Sequence, residues 1–130
     1  MSIKKKTLVD TNVILRFLLN DNPNQAQEAE DLFEKAENNQ LEIPDIIIAE
    51  LIFVLLSVYK LSRRDIVEKI RAVVEHPKFM VNKKIINFAL DEFLSKNISF
   101  VDGYLVALAK TRRGIDLFTF DKKLMNVLKK

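Results

Sequence analysis

The stretch Thr7-Leu8-Val9-Asp10-Thr11-Asn12-Val13-Ile14-Leu15-Arg16-Phe17-Leu18 changes its period in the middle. Thr7-Leu8-Val9 is a short apolar run with β character, whereas Val13, Ile14, Phe17 and Leu18 recur at helical spacing. A strand that runs through one acid straight into a helix opens an α/β unit. The alternation then continues outward. Asn22-Pro23 reads as N-cap and first helical position, and Ala26, Ala29, Leu32, Phe33 and Ala36 form the buried stripe of that second helix. Leu41-Glu42-Ile43 is a second strand ended by Pro44, and Asp45 is expected to cap a long helix reaching about Tyr59. Ser62 is expected to cap the next helix, which runs to His76-Pro77, and Phe79-Met80-Val81 is a third strand. A helix follows from about Lys83 to Ser95. Ser99 starts another, which ends at Arg112-Arg113-Gly114 with cations and a glycine at its last turn. Asp116–Phe120 is expected to be a fourth strand, with Asp121-Lys122-Lys123-Leu124 opening a last short helix.

Strands separated by helices imply a parallel sheet covered on both faces. The expected architecture is therefore a single domain over residues 1–130, α/β in class, with a short central parallel sheet flanked by helices in three layers. The 130 residues are enough to bury about two-thirds of the unfolded surface in one core. Hydrophobic residues make up 48% and glycine and proline are scarce, which excludes a disordered chain. The absence of cysteine excludes disulfides, zinc–thiolate sites and thiol nucleophiles. Lys4-Lys5-Lys6 precedes an apolar stretch, as in a signal peptide, but Asp10, Asn12 and Arg16 interrupt it and no small-residue cleavage site follows. The run Ile46–Leu56 is too short to span a bilayer and carries Glu50 in its middle. A soluble, cytoplasmic protein without a membrane partner is the expectation. The net charge of +3 is compatible with a polyanionic partner without requiring one.

Four acids sit at the end of, or inside, apolar runs: Asp10, Glu50, Asp102 and Asp121. Asp10 and Asp121 each follow a strand and precede a helix, the position that lines the ligand crevice of an open parallel sheet. Glu50 and Asp102 lie on helices apolar around most of their circumference, so both helices are expected to be largely buried. Two carboxylates about 5 Å apart repel by roughly 3 kcal/mol at an effective dielectric near 20. Four gathered acids have six such pairs, on the order of 10–20 kcal/mol before relaxation. A hard divalent cation, Mg²⁺ or Mn²⁺, relieves that repulsion, because it prefers carboxylate and water oxygens. With His76 the sole histidine, expected in a loop, zinc and copper are disfavoured. Metal-activated water attacking a phosphodiester is the chemistry such a centre suits.

Thr11, Asn12 and Thr119 stand beside the acids and either hold water, a carboxylate or a phosphate, or bond local backbone. Arg112, Arg113, Lys122 and Lys123 could track a nucleic-acid backbone, or serve as ordinary helix-end cations. Arg16 either faces the site or is solvated. Phe17, Phe33, Phe53 and Phe88 fall on helical stripes and are expected in the core. Local roles also exist for the acids. Asp10 and Asp121 could cap helices, Asp102 could be a first-turn acid favoured by the helix dipole, and Glu50 could be a partly exposed acid on a dimer-facing helix.

The pattern Val9-Asp10-Thr11-Asn12-Val13-Ile14-Leu15-Arg16-Phe17-Leu18, then Ile43-Pro44-Asp45 running into Ala49-Glu50-Leu51, then Val101-Asp102-Gly103-Tyr104-Leu105, then Phe118-Thr119-Phe120-Asp121, resembles the PIN-domain ribonucleases, most closely their VapC-type toxin branch. The order and spacing of all four acids agree. The resemblance implies a PIN-like fold and a Mg²⁺- or Mn²⁺-dependent endonuclease acting on RNA. It also implies a homodimer inhibited by a cognate antitoxin protein. Residue by residue, Asp10, Glu50, Asp102 and Asp121 match the acidic metal-site positions, and Thr11 or Asn12 and Thr119 the supporting polar ones. Two departures stand out. Gly103 replaces the more usual alanine, which is expected to loosen the start of its helix. The final edge strand common in the family is expected to be absent.

Three competing readings fit less of the sequence. A receiver domain that accepts a phosphoryl group expects an acidic pair after the first strand, where this chain has Thr11-Asn12, and leaves Glu50 and Asp102 unexplained. A haloacid-dehalogenase-like phosphatase expects a second aspartate where Asn12 stands. A catalytically silent binding module, or an RNA-processing relative without a toxin role, keeps the same fold, and the complete acidic quartet argues against the loss of catalysis.

Overall fold

The computed structural model describes residues 5–19 and 21–129, so Lys4 of the basic N-terminal run lies outside the described residues. The chain forms two compact units, one ending at Asn82 and the other beginning at Lys83. The first contains β1 (Thr7–Leu8), α1 (Thr11–Leu19), α2 (Pro23–Lys35), β2 (Leu41–Glu42), α3 (Asp45–Ser57), α4 (Arg63–Glu75) and β3 (Phe79–Met80). The three strands are parallel in the order β1-β2-β3, with Thr7 opposite Leu41 and Leu41 opposite Phe79. Further backbone bonds lengthen the ladder, from Val9 N to Glu42 O at 3.1 Å and from Ile43 N to Met80 O at 3.0 Å. Parallel pairing needs a crossover between strands, and two helices fill each crossover here. The expected short parallel sheet flanked by helices is present.

Local signals place the helices. Asn22 Oδ1 accepts from Gln25 N at 3.2 Å, with Pro23 at the first helical position, and Ser62 Oγ accepts from Asp65 N at 3.1 Å. Asp45 departs from expectation. Pro44 occupies the cap position of α3 without a side-chain cap, and Asp45 is the first helical residue. Ile48, Leu51, Ile52 and Leu55 of α3 are buried, while Ile46 (75% exposed), Glu50 and Phe53 (67% exposed) follow one another along its outer side. The expectation that this helix is buried around most of its circumference, with Phe53 in the core, is therefore corrected. An all-apolar helix carries no period to say which face is turned inward.

His76 lies just past α4 in extended backbone, the loop position expected at this helix end, and is half-buried there. Its ring packs edge-on against Phe17 and Phe33, with centroids 5.9 Å away in each case, and tilts over Phe79 at 4.6 Å. Its Nδ1 accepts from Lys78 N at 3.2 Å, which requires that nitrogen to be unprotonated. Burial, reinforced by the Lys78 charge, lowers the imidazole pKa below its ordinary 6.5. The unfolded chain therefore takes up the proton first as pH falls. The stabilisation is complete above pH 6.5 and is lost as pH drops through the lowered native value. Denaturant titrations at pH 7 and pH 5 should show a larger stability loss in the wild type than in His76→Gln. Equal losses would refute the assignment.

The second unit contains α5 (Lys83–Ser95), α6 (Phe100–Thr111) and α7 (Lys122–Lys129). Ser99 caps α6 as expected, its Oγ accepting from Asp102 N at 3.0 Å. Gly103 is buried where α6 crosses α5, and a Cβ there would lie 2.9 Å from Ala89 O and 3.3 Å from the Glu92 Cβ. The glycine does not merely loosen a helix start; it permits a close helix approach. Ile98, Val106, Leu124 and Val127 form a buried cluster, with Phe88, Leu117 and Leu128 packed against it. The expected fourth strand over residues 116–120 does not form. A strand requires a ladder partner, and the regular elements described in this unit are all helices. Phe118 and Phe120 are 83% and 86% exposed and pack edge-to-face on each other at 5.2 Å. Among the described residues, no helix is long and apolar enough to cross a membrane.

Candidate active site

In the first unit, α1 begins directly after Asp10, and this turn organises the site. Asp10 Oδ1 accepts from Val13 N at 3.2 Å, capping α1, and Oδ2 takes no hydrogen bond among the described residues. The carboxylate is exposed. Thr11 is buried, and its hydroxyl donates to Glu50 Oε1 in a short contact. A buried β-branched residue holds few rotamers, so this bond fixes the Glu50 head group beside the Asp10 turn. Glu50 Oε2 is left without a partner among the described residues. Two elements far apart in sequence, α1 and α3, thereby bring an aspartate turn and a glutamate together through one hydroxyl.

Arg16 lies on α1 one turn beyond Asn12. Its Nη1 pairs with Asp21 Oδ1 at 2.9 Å and its Nε donates to Gln25 Oε1 at 2.7 Å. The Asp21 hydrogen bond raises the guanidinium pKa further, and the group carries its positive charge at any working pH in either case. Arg16, Asp10, Asn12 and Val13 of the α1 segment line one side of a cleft of about 320 Å³, and Gln25, Glu28, Ala29 and Leu32 of α2 line the other. Arg16 therefore faces the Asp10 side of the molecule and is tied down there. Gln25 and Glu28 were not candidates from the sequence, because only the packing of α2 on α1 gives them a shared cleft.

In the second unit, Asp102 is half-buried in the first turn of α6. Asp121 precedes α7, where its Oδ1 accepts from Leu124 N at 3.1 Å, and Thr119 Oγ1 accepts from Asp121 N at 3.1 Å. Thr119 thus bonds local backbone. Lys123 Nζ donates to Asn97 O at 2.8 Å, whereas Arg112, Arg113 and Lys122 are exposed. Glu92 on α5 is buried beside Gly103, and its Oε2 has no partner among the described residues. Its helical stripe carries too many solvated acids nearby for the sequence to have singled it out.

The donor chemistry fits a hard divalent cation. Carboxylate oxygens and a hydroxyl are what Mg²⁺ and Mn²⁺ prefer, and no thiolate exists to favour a softer ion. Among the described residues, no group of three or more His, Asp or Glu side chains is gathered as a metal-holding cluster.

The PIN domain family matches residues 7–130, nearly the whole chain. No curated protein and no solved structure matches it. PIN domains are in general nucleases, hydrolases of the phosphodiester bond that use divalent metals.

Proposed function

Because this chain belongs to the PIN domain family, we propose that it is a Mg²⁺- or Mn²⁺-dependent endoribonuclease and the toxin of a cytoplasmic toxin–antitoxin pair. The observation that carries the reading is the Thr11–Glu50 hydrogen bond beside the Asp10 turn, which orients one carboxylate and leaves an oxygen of each acid unused. When bound, the divalent cation would neutralise phosphate charge and acidify the attacking water. Asp10 and Glu50 would hold it through their unused oxygens. Thr11 acts as a positioning residue, since it reaches the reaction only through Glu50. Asp102 and Asp121 complete the proposed quartet on the strength of the sequence pattern alone.

RNA as substrate, a homodimer and a cognate antitoxin follow from the sequence resemblance. The outward Ile46 and Phe53 of α3, with Val58 just beyond, give the homodimer an apolar surface to bury. Thr119, Arg112, Arg113, Lys122 and Lys123 keep the proposed roles of site support and RNA contact, although Thr119 and Lys123 already hold local backbone.

Purified protein should cleave single-stranded or structured RNA with Mg²⁺ or Mn²⁺ and stop when EDTA is added. Cleavage that continues in EDTA would remove the metal from the mechanism. The toxin role is read separately, as growth arrest on expression that the product of a neighbouring gene relieves. Unimpaired growth during expression of active enzyme would argue for an RNA-processing role instead.

A further inference from the structure

The cleft between α1 and α2 combines an apolar wall with a polar rim of defined polarity. Val13, Ala29 and Leu32 supply the wall, and Gln25 and Glu28 stand three residues apart on α2, on one face of that helix. Arg16 Nε can only donate, so the Gln25 atom at 2.7 Å from it must be the amide oxygen. That leaves the Gln25 NH₂ group as a donor with no partner among the described residues. Glu28 is exposed, has no partner among the described residues, and as a carboxylate can only accept, through two oxygens. Asp10 lines the same cleft.

A donor next to a two-oxygen acceptor, above an apolar wall, complements one nucleobase better than the others. On its Watson–Crick edge guanine presents O6 as an acceptor followed by two adjacent donors, N1–H and N2–H₂. Adenine and cytosine each have one donor group there, and uracil has a single N–H, so each leaves part of the Glu28 carboxylate unsatisfied. Single-stranded RNA is read through these splayed-out base edges, and the cleft volume is within the range of small-ligand pockets. We propose that the α1–α2 cleft is a guanine subsite in which Glu28 accepts from N1–H and N2–H₂, Gln25 donates to O6, and Val13, Ala29 and Leu32 contact the base face. Its position beside Asp10 makes it a specificity site for a nucleotide next to the scissile phosphate. The assignment rests on the reading of the chain as a ribonuclease.

The test is binding in EDTA, where no metal-dependent cleavage interferes. Fluorescence anisotropy would compare short labelled RNAs that are all adenine except for a central guanine, hypoxanthine or adenine. A charge-assisted bidentate pair predicts that the wild type favours guanine over adenine by about tenfold, with hypoxanthine between them because it lacks N2–H₂. Glu28→Gln should bring the three affinities within about twofold of one another, and Gln25→Leu should weaken guanine selectively. Both side chains are exposed, so the variants should fold, and their circular dichroism would verify it. Equal affinities in the wild type, or a preference that Glu28→Gln leaves unchanged or weakens uniformly, overturns the subsite. Metal-dependent cleavage is scored independently. Cleavage without guanine selectivity defeats only the subsite, and guanine selectivity without cleavage defeats only the nuclease reading.

Discussion

Asp10→Asn should lower metal-dependent RNA cleavage by on the order of a hundredfold or more while leaving the fold intact. The two halves of this result come from different oxygens of one side chain. Oδ1 caps α1 by accepting from Val13 N, and asparagine keeps an acceptor of the same shape, so stability should change by only a few tenths of a kcal/mol. What disappears is the negative charge. Losing one preorganised electrostatic contact at a reacting centre typically costs about 10²–10³ in rate, roughly 3–4 kcal/mol of barrier. Magnesium at about ten times its dissociation constant should stabilise the wild type by about 1.4 kcal/mol, raising its melting temperature by several degrees, because it binds only folded protein. Asp10→Asn should show little of that rise. Full activity in the variant, or an identical Mg²⁺ shift, would move the metal away from this turn.

The second large effect concerns Gly103. A methyl group there would stand 2.9 Å from the Ala89 carbonyl oxygen, which is backbone and cannot rotate away. Helix propensity alone predicts that Gly103→Ala stabilises the protein by about 1 kcal/mol. Overpacking predicts a loss of about 1–3 kcal/mol, which exceeds that gain. The net change for alanine should therefore be a modest destabilisation. Gly103→Leu should cost on the order of 3 kcal/mol or more, because the larger group must also displace the neighbouring α5 side chains. Urea denaturation followed by circular dichroism decides the sign. A more stable Gly103→Ala would mean that α5 and α6 are farther apart than described.

What could be read from the sequence was mostly what is local. The caps at Asn22, Ser62 and Ser99 were legible because a side chain, a turn and a following apolar stripe lie within a few residues. Asp10 and its capping of Val13 were legible for the same reason. The parallel sheet followed from alternation, though its strands shrink to two residues each. Residues 116–120 carry a strand's composition without the partner that would make them one. The outward side of α3 was hidden because Ile46, Ile47, Ile48, Leu51, Ile52 and Phe53 are apolar in every direction. Gly103 read as a weak helix residue, since the backbone that crosses it belongs to a different helix. The cleft lined by Arg16, Gln25 and Glu28 depends on how α2 lies on α1, which no spacing within either helix encodes. For the acids, the sequence placed Asp10 and Asp121 at helix starts and Glu50 and Asp102 on helices, but it gave Asp121 a preceding strand that does not form and Glu50 a buried helix face that is turned outward. The link from Thr11 to Glu50, thirty-nine residues away, needed the tertiary structure.

The register of the sheet also bears on how quickly the protein assembles. Each strand of the sheet must find a partner more than thirty residues away, and closing a loop of that length costs roughly 3 kcal/mol of chain entropy before any contact rewards it. The helices α5 and α6 are joined by only a few residues and pack along much of their length, so their contacts are nearly free of that charge. The slow part of folding thus belongs to the residues up to Asn82, the segment that holds Asp10, Thr11, Glu50 and the α1–α2 cleft. The Thr11–Glu50 contact and the α1–α2 cleft are therefore expected among the last features the chain completes.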